Sequence, residues 1–366
     1  MAKQETYTFE PDFVSPPGDT LLELLEERRI SQSELARRMG RPIKTINEII
    51  RGRTVIMPET ALQLERVLRT PARFWLKREQ LYREHLARRA ANKVLQAQQG
   101  WLLHFPIQQM QRCGWLPTDV EGVHLLVALL QFFGIAEPES WEDIWSDSLV
   151  NYRKAEAYES SDYALSVWLR QGEIEADEVQ CAPYNKTAFK QLLKKEIRAL
   201  TCLPPEQFQP QLVELCATVG VAVVFVPQVA GTQVSGAAYW LMKDKALIQL
   251  SLHYNTNDQF WFTFFHEAGH ILRHGKREVF IDIKSEDSNK KEREADRFAE
   301  DMLIPARDYA AFVRRNKEMS QTIVSDFAQE VGIAPGIVVG RLQQNGDLPD
   351  TELNELKEEF AWVEPC

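Results

Sequence analysis

The chain has 366 residues, 44% of them hydrophobic and 26% charged, with a net charge of −10. This is a globular composition without low-complexity tracts, and the length suggests two or three domains. No run of about 18 apolar residues and no apolar N-terminal segment occurs, so the sequence predicts neither a membrane span nor a secretion signal, and a cytoplasmic protein is expected.

Five cysteines (Cys113, Cys181, Cys202, Cys216 and Cys366) form no C-x-x-C pair. Reduced thiols are expected, and a cysteine-rich zinc site is not. Residues 1–100 hold 18 Lys and Arg against 13 Asp and Glu, whereas the rest of the chain is strongly acidic. A basic first segment on an acidic body points to an anionic partner for that segment alone.

Residues 1–16 read as a short extended arm. Helical text starts at Pro16-Pro17-Gly18-Asp19, with Asp19 or Thr20 as the expected N-cap. Leu21, Leu24 and Leu25 make one apolar stripe. Ser31 and Glu34 have the spacing of a capping box before Leu35, Ala36 and Met39, and Gly40 ends that helix. Arg41-Pro42 opens the next, with Ile46, Ile49 and Ile50 as its buried stripe and Gly52 as its stop. Two further helices are expected near Glu59–Leu68 and Pro71–Arg83. The Gln32–Gly40 string followed by Lys44–Gly52 reads as a helix-turn-helix, whose second helix lies in the major groove of DNA. Its exposed face offers Lys44, Thr45, Asn47, Glu48 and Arg51, with Asn47 partly serving the fold. Arg41, Lys44, Thr45, Asn47, Arg51 and Arg53 are the expected DNA contacts, the basic ones to phosphates or base edges.

Residues 93–205 are rich in tryptophan and in helical periodicity but carry no chemical motif, and read as a helical connector. Val123–Phe133 is apolar nearly all round yet too short to span a bilayer, which predicts a buried helix. From residue 206 the texture changes. Leu212–Val219 is helical in pattern. Val221–Val226, Gly236–Leu241 and Ala246–Leu252 read as strands, the last two joined by a turn at Lys243–Lys245. Helices follow over the His266 region and Glu292–Met302. A pair of short helices, Ile323–Val331 and Pro335–Gln343, is joined across Gly332. The acidic segment after Gly346 reads as peripheral.

Phe262–His270 contains His266-Glu267-Ala268-Gly269-His270, an H-E-x-x-H string. Residues four apart share a helix face, so both imidazoles can reach one zinc ion. Glu267 lies one step round, where it can act as general base toward an attacking water. The third ligand is sought in Glu292-Arg293-Glu294-Ala295-Asp296. Glu292 is preferred to Glu294 because it shares a face with Asp296, which can then orient a ligand imidazole, while Glu294 points roughly the other way. Gly269 removes a side chain where another element approaches. His274, one turn beyond His270, is expected as a polar cap rather than a fourth ligand. Tyr239 and His253 are candidates for holding the oxyanion.

With these residues in view, Val221–Pro305 resembles the ImmA/IrrE family of metallopeptidases. The matching strings are Ile248-Gln249-Leu250-Ser251, the Phe265–His274 string F-H-E-A-G-H-I-L-R-H, and the Glu292–Pro305 string E-R-E-A-D-R-F-A-E-D-M-L-I-P; Phe327–Leu342 is similar to that family's closing helix pair. The resemblance implies a gluzincin-like site with His266, His270 and Glu292 as zinc ligands and Glu267 as base. It also implies a regulatory peptidase, several of whose relatives cleave or antagonise DNA-bound repressors. Pro17–Leu21 through Pro71–Leu76, including Glu59–Glu65, resembles the HigA-type antitoxin branch of the XRE repressors. That implies dimeric binding to palindromic operators and neutralisation of a RelE-like toxin.

The expected fold is therefore α+β and mostly α. Its parts are an XRE-type five-helix domain (1–92), a helical connector (93–205), a zinc metallopeptidase domain with a small sheet and a C-terminal helix pair (206–350), and an acidic tail (351–366). The expected function is a DNA-binding regulator with zinc endopeptidase activity on a repressor or antitoxin-like protein. The alternative is a non-proteolytic HigA-like repressor whose zinc domain is a scaffold for dimerisation or toxin binding. The expected partners are operator DNA, a peptide or protein substrate, a second copy of the chain and a RelE-like toxin, with no membrane.

Overall fold

The computed structural model describes residues 14–145, 162–275, 280–282 and 290–362. These divide into two compact units, Met1–Gln99 and Gly100–Cys366, each with its own core. Most of the N-terminal arm read from the sequence lies outside the described residues.

The first unit consists of five helices: α1 (Pro17–Glu27), α2 (Gln32–Met39), α3 (Ile43–Ile50), α4 (Pro58–Leu68) and α5 (Ala72–Ala97). The N-cap is Pro16, three or four residues before the expected Asp19 or Thr20. Pro17 occupies the first helical positions, where a fixed φ and a missing N–H cost nothing, and Asp19 sits inside the first turn. α2 starts as expected, with Ser31 Oγ accepting from the Glu34 N–H at 3.2 Å, and it ends at Gly40 with φ +63°. The Glu34 carboxylate does not close the box, because Arg37 and Arg38 hold it, each at 2.8 Å. Leu21, Leu35, Ile46, Ile49, Leu64, Leu68 and Trp75 fill the core, so the apolar stripe of α3 faces inward. α5 runs well past Arg83, since residues 84–97 contain neither Gly nor Pro and are mostly good helix formers. The boundary expected after residue 92 thus lies within this helix.

The second unit is built on a four-stranded sheet of order β1-β3-β2-β4, with β1 Val221–Phe225, β2 Gly236–Met242, β3 Lys245–Leu250 and β4 Phe280–Asp282. β1 pairs with β3 in parallel, while β2 runs antiparallel to both β3 and β4. Both faces are covered, which explains the near-continuous apolar text of β1. The segment preceding the sheet holds α6 (Ile107–Arg112), α7 (Gly122–Phe133), α8 (Asp162–Glu178), α9 (Lys186–Leu192) and α10 (Pro205–Ala217); α9 continues through a π turn, Leu193–Ile197, into Arg198–Leu200.

α7 and α8 form a layer over one sheet face. Leu129 and Trp168 pack with Ala222, Val224, Tyr239 and Leu247. Trp168 Nε1 donates to the Val226 carbonyl at 3.1 Å, and Gln249 Nε2 donates to the Trp168 carbonyl at 2.6 Å. The region read as a connector is thus an integral layer of the second unit. α7 is buried along Leu126, Leu129, Leu130, Phe132 and Phe133, as its composition predicts.

The other sheet face carries α11 (Asn257–Arg273), with Val221, Val223, Ala238 and Ile248 sharing a core with Phe264 and Phe265. α12 (Lys290–Leu303), α13 (Ala306–Arg315), α14 (Gln321–Val331) and α15 (Pro335–Gln344) complete the unit.

The segment after Gly346 is not peripheral as far as Phe360, and this corrects the sequence reading. Phe360 is buried in the main core, and its N–H donates to the Asn255 carbonyl at 2.6 Å. The Asn257 N–H donates to the Glu358 carbonyl at 2.8 Å, and Lys357 Nζ lies 2.8 Å from Asp258 Oδ2. The segment therefore clasps the start of α11. Cys181, Cys202 and Cys216 are free, whereas Cys113 is disulfide-bonded, against the expectation of five reduced thiols. Among the described residues no single helix is long and apolar enough to cross a membrane.

Candidate metal centre

α11 presents His266, Glu267 and His270 from a helix buried almost throughout, the three residues being 3%, 0% and 2% exposed. α12 crosses it at close range. A Cβ at Gly269 would stand 3.2 Å from the Ala295 Cα, so the missing side chain permits the approach inferred from the sequence.

The crossing brings three donor atoms together. His266 Nε2 and His270 Nε2 are 2.9 Å apart, and each lies 3.2 Å from Glu292 Oε2. His266, His270 and Glu292 could hold a metal ion, and their ligand atoms all fall within 4.8 Å of one another. The chemistry of the donors supports that fit. The Asp296 carboxylate, whose Oδ1 is 2.9 Å from His266 Nδ1, can only accept, so His266 carries its proton on Nδ1. His266 Nε2 then directs a lone pair toward a carboxylate oxygen and a second imidazole nitrogen. Such an arrangement is repulsive unless a cation or proton sits among the three atoms. Donors about 2.0–2.1 Å from a tetrahedral zinc stand roughly 3.3 Å apart, close to the separations found.

The protonation states agree. Burial pushes the pKa of His270 down to about 4, against the opposing pull of Glu292. Burial alone would raise the carboxyl of Glu292, but its contacts with His266 and His270 outweigh that and hold it at about 2. A neutral imidazole and an ionised carboxylate are the forms that bind metal.

The Glu267 side chain lies against β2. A Cβ at Gly236 would come within 2.9 Å of Glu267 Oε1, so the strand leaves space for the carboxylate only because it has a glycine there. Glu294 does not join the donors, and its Oε2 lies 3.5 Å from His274 Nε2. His274 is the C-cap of α11, with its N–H donating to the His270 carbonyl at 3.0 Å, and its ring is also engaged with His270. Tyr239 cannot serve the oxyanion role proposed from the sequence. It lies in the core on the opposite sheet face, and its hydroxyl donates to the Leu169 carbonyl at 3.2 Å. With both sheet faces apolar, nothing in the sequence marks which face meets α11. His253 packs on Tyr254 in the loop after β3, and its N–H donates to Ser251 Oγ at 3.2 Å.

In the first unit, Lys44, Arg51 and Arg53 are exposed, the Lys44 side chain by 84%. Thr45 and Asn47 are half-buried. Arg41 is tied to α4, its Nε donating to Gln63 Oε1 at 2.6 Å. An exposed apolar residue that the sequence reading passed over, Ile43, opens the same helix.

Comparison with protein families places both units. Residues 216–343 match the IrrE N-terminal-like domain family, Peptidase_M78, and residues 21–75 match a helix-turn-helix family. The chain joins a helix-turn-helix domain to an IrrE N-terminal-like domain. The IrrE-like match encloses the sheet, α11, α12 and the closing helix pair, so all three convergent donors lie within it. The helix-turn-helix match runs from within α1 through α4 to the start of α5. Two solved structures are similar to the N-terminal part. One is an addiction-module antidote protein of the HigA family from Coxiella burnetii, at 28% identity over 22% of this chain and 90% of that chain, with a TM-score of 0.21. The other is the Pseudomonas aeruginosa antitoxin HigA with the higBA promoter, at 33% identity over 22% of this chain and 89% of that chain, with a TM-score of 0.22. No curated protein matches the chain.

Proposed function

We propose that the IrrE-like unit is a zinc-dependent endopeptidase acting on a regulatory protein, of the repressor or antitoxin-like class, and that the helix-turn-helix unit binds operator DNA. The observation that carries the peptidase reading is the convergence of His266, His270 and Glu292, with the buried Glu267 next to His266 in the same helix. Zinc, when bound, supplies Lewis-acid activation of the attacking water and the scissile carbonyl. The remaining work belongs to the chain. Asp296 holds His266 in the tautomer that frees Nε2. Glu267 takes the proton of the attacking water and passes it to the leaving amine. The burial of α11 keeps these groups on a rigid element.

On the DNA side, the inward stripe Ile46 and Ile49 fixes the orientation of α3, which leaves Lys44 and Arg51 outward. Lys44, Thr45, Asn47, Arg51 and Arg53 are assigned to the DNA face, with Arg41 joining once it releases Gln63. Operator DNA, a peptide segment of the substrate and a second copy of the chain are the partners of this reading, which places the protein in the cytoplasm. A RelE-like toxin is a further candidate partner.

The decisive experiment incubates the zinc-loaded full chain with a proteome-derived peptide library and counts new termini by mass spectrometry. New termini are expected with the natural chain, and none with Glu267→Gln, which should still bind zinc and shift DNA from upstream of its own reading frame. The same termini from Glu267→Gln would remove Glu267 as base. No termini from either protein, with zinc bound, would leave the IrrE-like unit a scaffold.

A further inference from the structure

His270 has two ring nitrogens, and each faces a different group. Nε2 faces His266 and Glu292, at 2.9 and 3.2 Å. Nδ1 lies 3.0 Å from Nδ1 of His274. For His270 to direct a lone pair from Nε2, its proton must sit on Nδ1. That Nδ1–H needs an acceptor, and the atom opposite it is an imidazole nitrogen that accepts only when His274 carries its own proton on Nε2. His274 Nε2 in turn lies 3.5 Å from Glu294 Oε2, a carboxylate that can only accept. At 3.5 Å this is a charge approach rather than a hydrogen bond, and it favours the His274 tautomer with the proton on Nε2, which leaves Nδ1 to face His270 as acceptor.

This parallels the other ligand imidazole. His266 is oriented directly by Asp296 of α12, at 2.9 Å. Glu294 of the same helix, two residues before Asp296, approaches His270 only through the intervening ring of His274. The His274 side chain is only 4% exposed although it stands at the helix end, so the ring is packed in place rather than swinging in solvent.

We propose that His274 and Glu294 are positioning residues that hold His270 in its Nδ1–H tautomer and aim Nε2 at the cation. This rests on the reading of the site as a metal centre. It goes beyond that reading by giving His274 a role other than a helix cap or a fourth ligand.

The test uses the full chain loaded with zinc, and with cobalt as a spectroscopic substitute. His274→Phe keeps a packed ring but offers no acceptor. His274→Asn places an amide oxygen near the position of Nδ1 and can restore it. Outer hydrogen-bond partners of ligand imidazoles are worth about tenfold to a hundredfold in metal affinity. His274→Phe is expected to weaken zinc by that factor and to shift the visible cobalt bands, with His274→Asn returning both most of the way. Glu294→Leu should reproduce the loss in weaker form. Unchanged affinity and bands in His274→Phe, with one zinc bound by the natural chain, would overturn the proposal and leave the metal reading standing. Loss of a nitrogen donor in both His274 variants would overturn it in favour of direct ligation. A natural chain that takes up no zinc would end the metal reading, and this inference with it.

Discussion

Gly269 of α11 lies against Phe298 of α12, so closely that a Cβ at position 269 would stand 3.0 Å from Phe298 Cδ1. The ring can yield by a few tenths of an ångström for one methyl group, the Ala295 backbone at 3.2 Å less readily, and alanine's better helix propensity offsets part of that cost. Gly269→Ala is therefore expected to leave stability within about 1 kcal/mol of the natural chain. Gly269→Leu must push the helices apart, at a cost of about 1–3 kcal/mol. Because Glu292 rides on α12 and the imidazoles on α11, the leucine variant should also bind zinc more weakly. Urea unfolding and zinc titration check the pair. A leucine variant with full zinc affinity would show that helix spacing does not set the site.

The carboxylate of Glu267 depends on a second glycine. A Cβ at Gly236 would meet Thr263 Cγ2 at 2.7 Å and Glu267 Oε1 at 2.9 Å. Gly236→Ala should displace the carboxylate while leaving His266, His270 and Glu292 in place. Zinc stoichiometry is expected to stay at the natural value, with kcat/KM falling by tenfold to a hundredfold, the scale of a misplacement near 1 Å. Equal losses of zinc and activity would mean that the strand supports the donors rather than the base.

Features legible in the sequence were those written in local spacing. Ser31 and Gly40 bracket α2, Gly332 separates α14 from α15, and the four-residue step from His266 to His270 puts two imidazoles on one face. Glu292 was selected by its own four-residue step to Asp296, and both side chains reach His266. What was not legible depends on contacts between distant residues. The layer of α7 and α8 rests on bonds such as Gln249 to the Trp168 carbonyl, 81 positions apart. β4 is three residues long, too short to display alternation. Glu294 lies off the Glu292–Asp296 face, and no local spacing displays its approach to His274 where α11 ends.

The clasp on α11 gives a stability prediction. Asp258 is 4% exposed and is paired with Lys357, 15% exposed in its side chain, at 2.8 Å. Lys357→Met leaves the buried carboxylate without its cation, which is expected to cost about 3–5 kcal/mol. Adding Asp258→Asn removes the stranded charge and should recover most of that loss. Chemical denaturation of the two variants decides, since a Lys357→Met protein as stable as the natural chain would mean that the pair is solvated and the clasp rests on Phe360 and the backbone bonds to Asn255 and Asn257.

The DNA face can be tested by its dependence on salt. Lys44 and Arg51 project from α3 and its end without a buried role, and Lys44 makes a loose 3.9 Å contact with Glu48. If both contact phosphates, Lys44→Ala with Arg51→Ala should reduce the slope of log affinity against log salt by about 2, since each phosphate neutralised contributes roughly 0.9. Binding to DNA from upstream of the protein's own reading frame should weaken most at low salt, with the helical content unchanged. A double variant with the natural slope would place the nucleic-acid contacts elsewhere. A changed slope at one base sequence but not at others would instead assign one of the two side chains to a base edge.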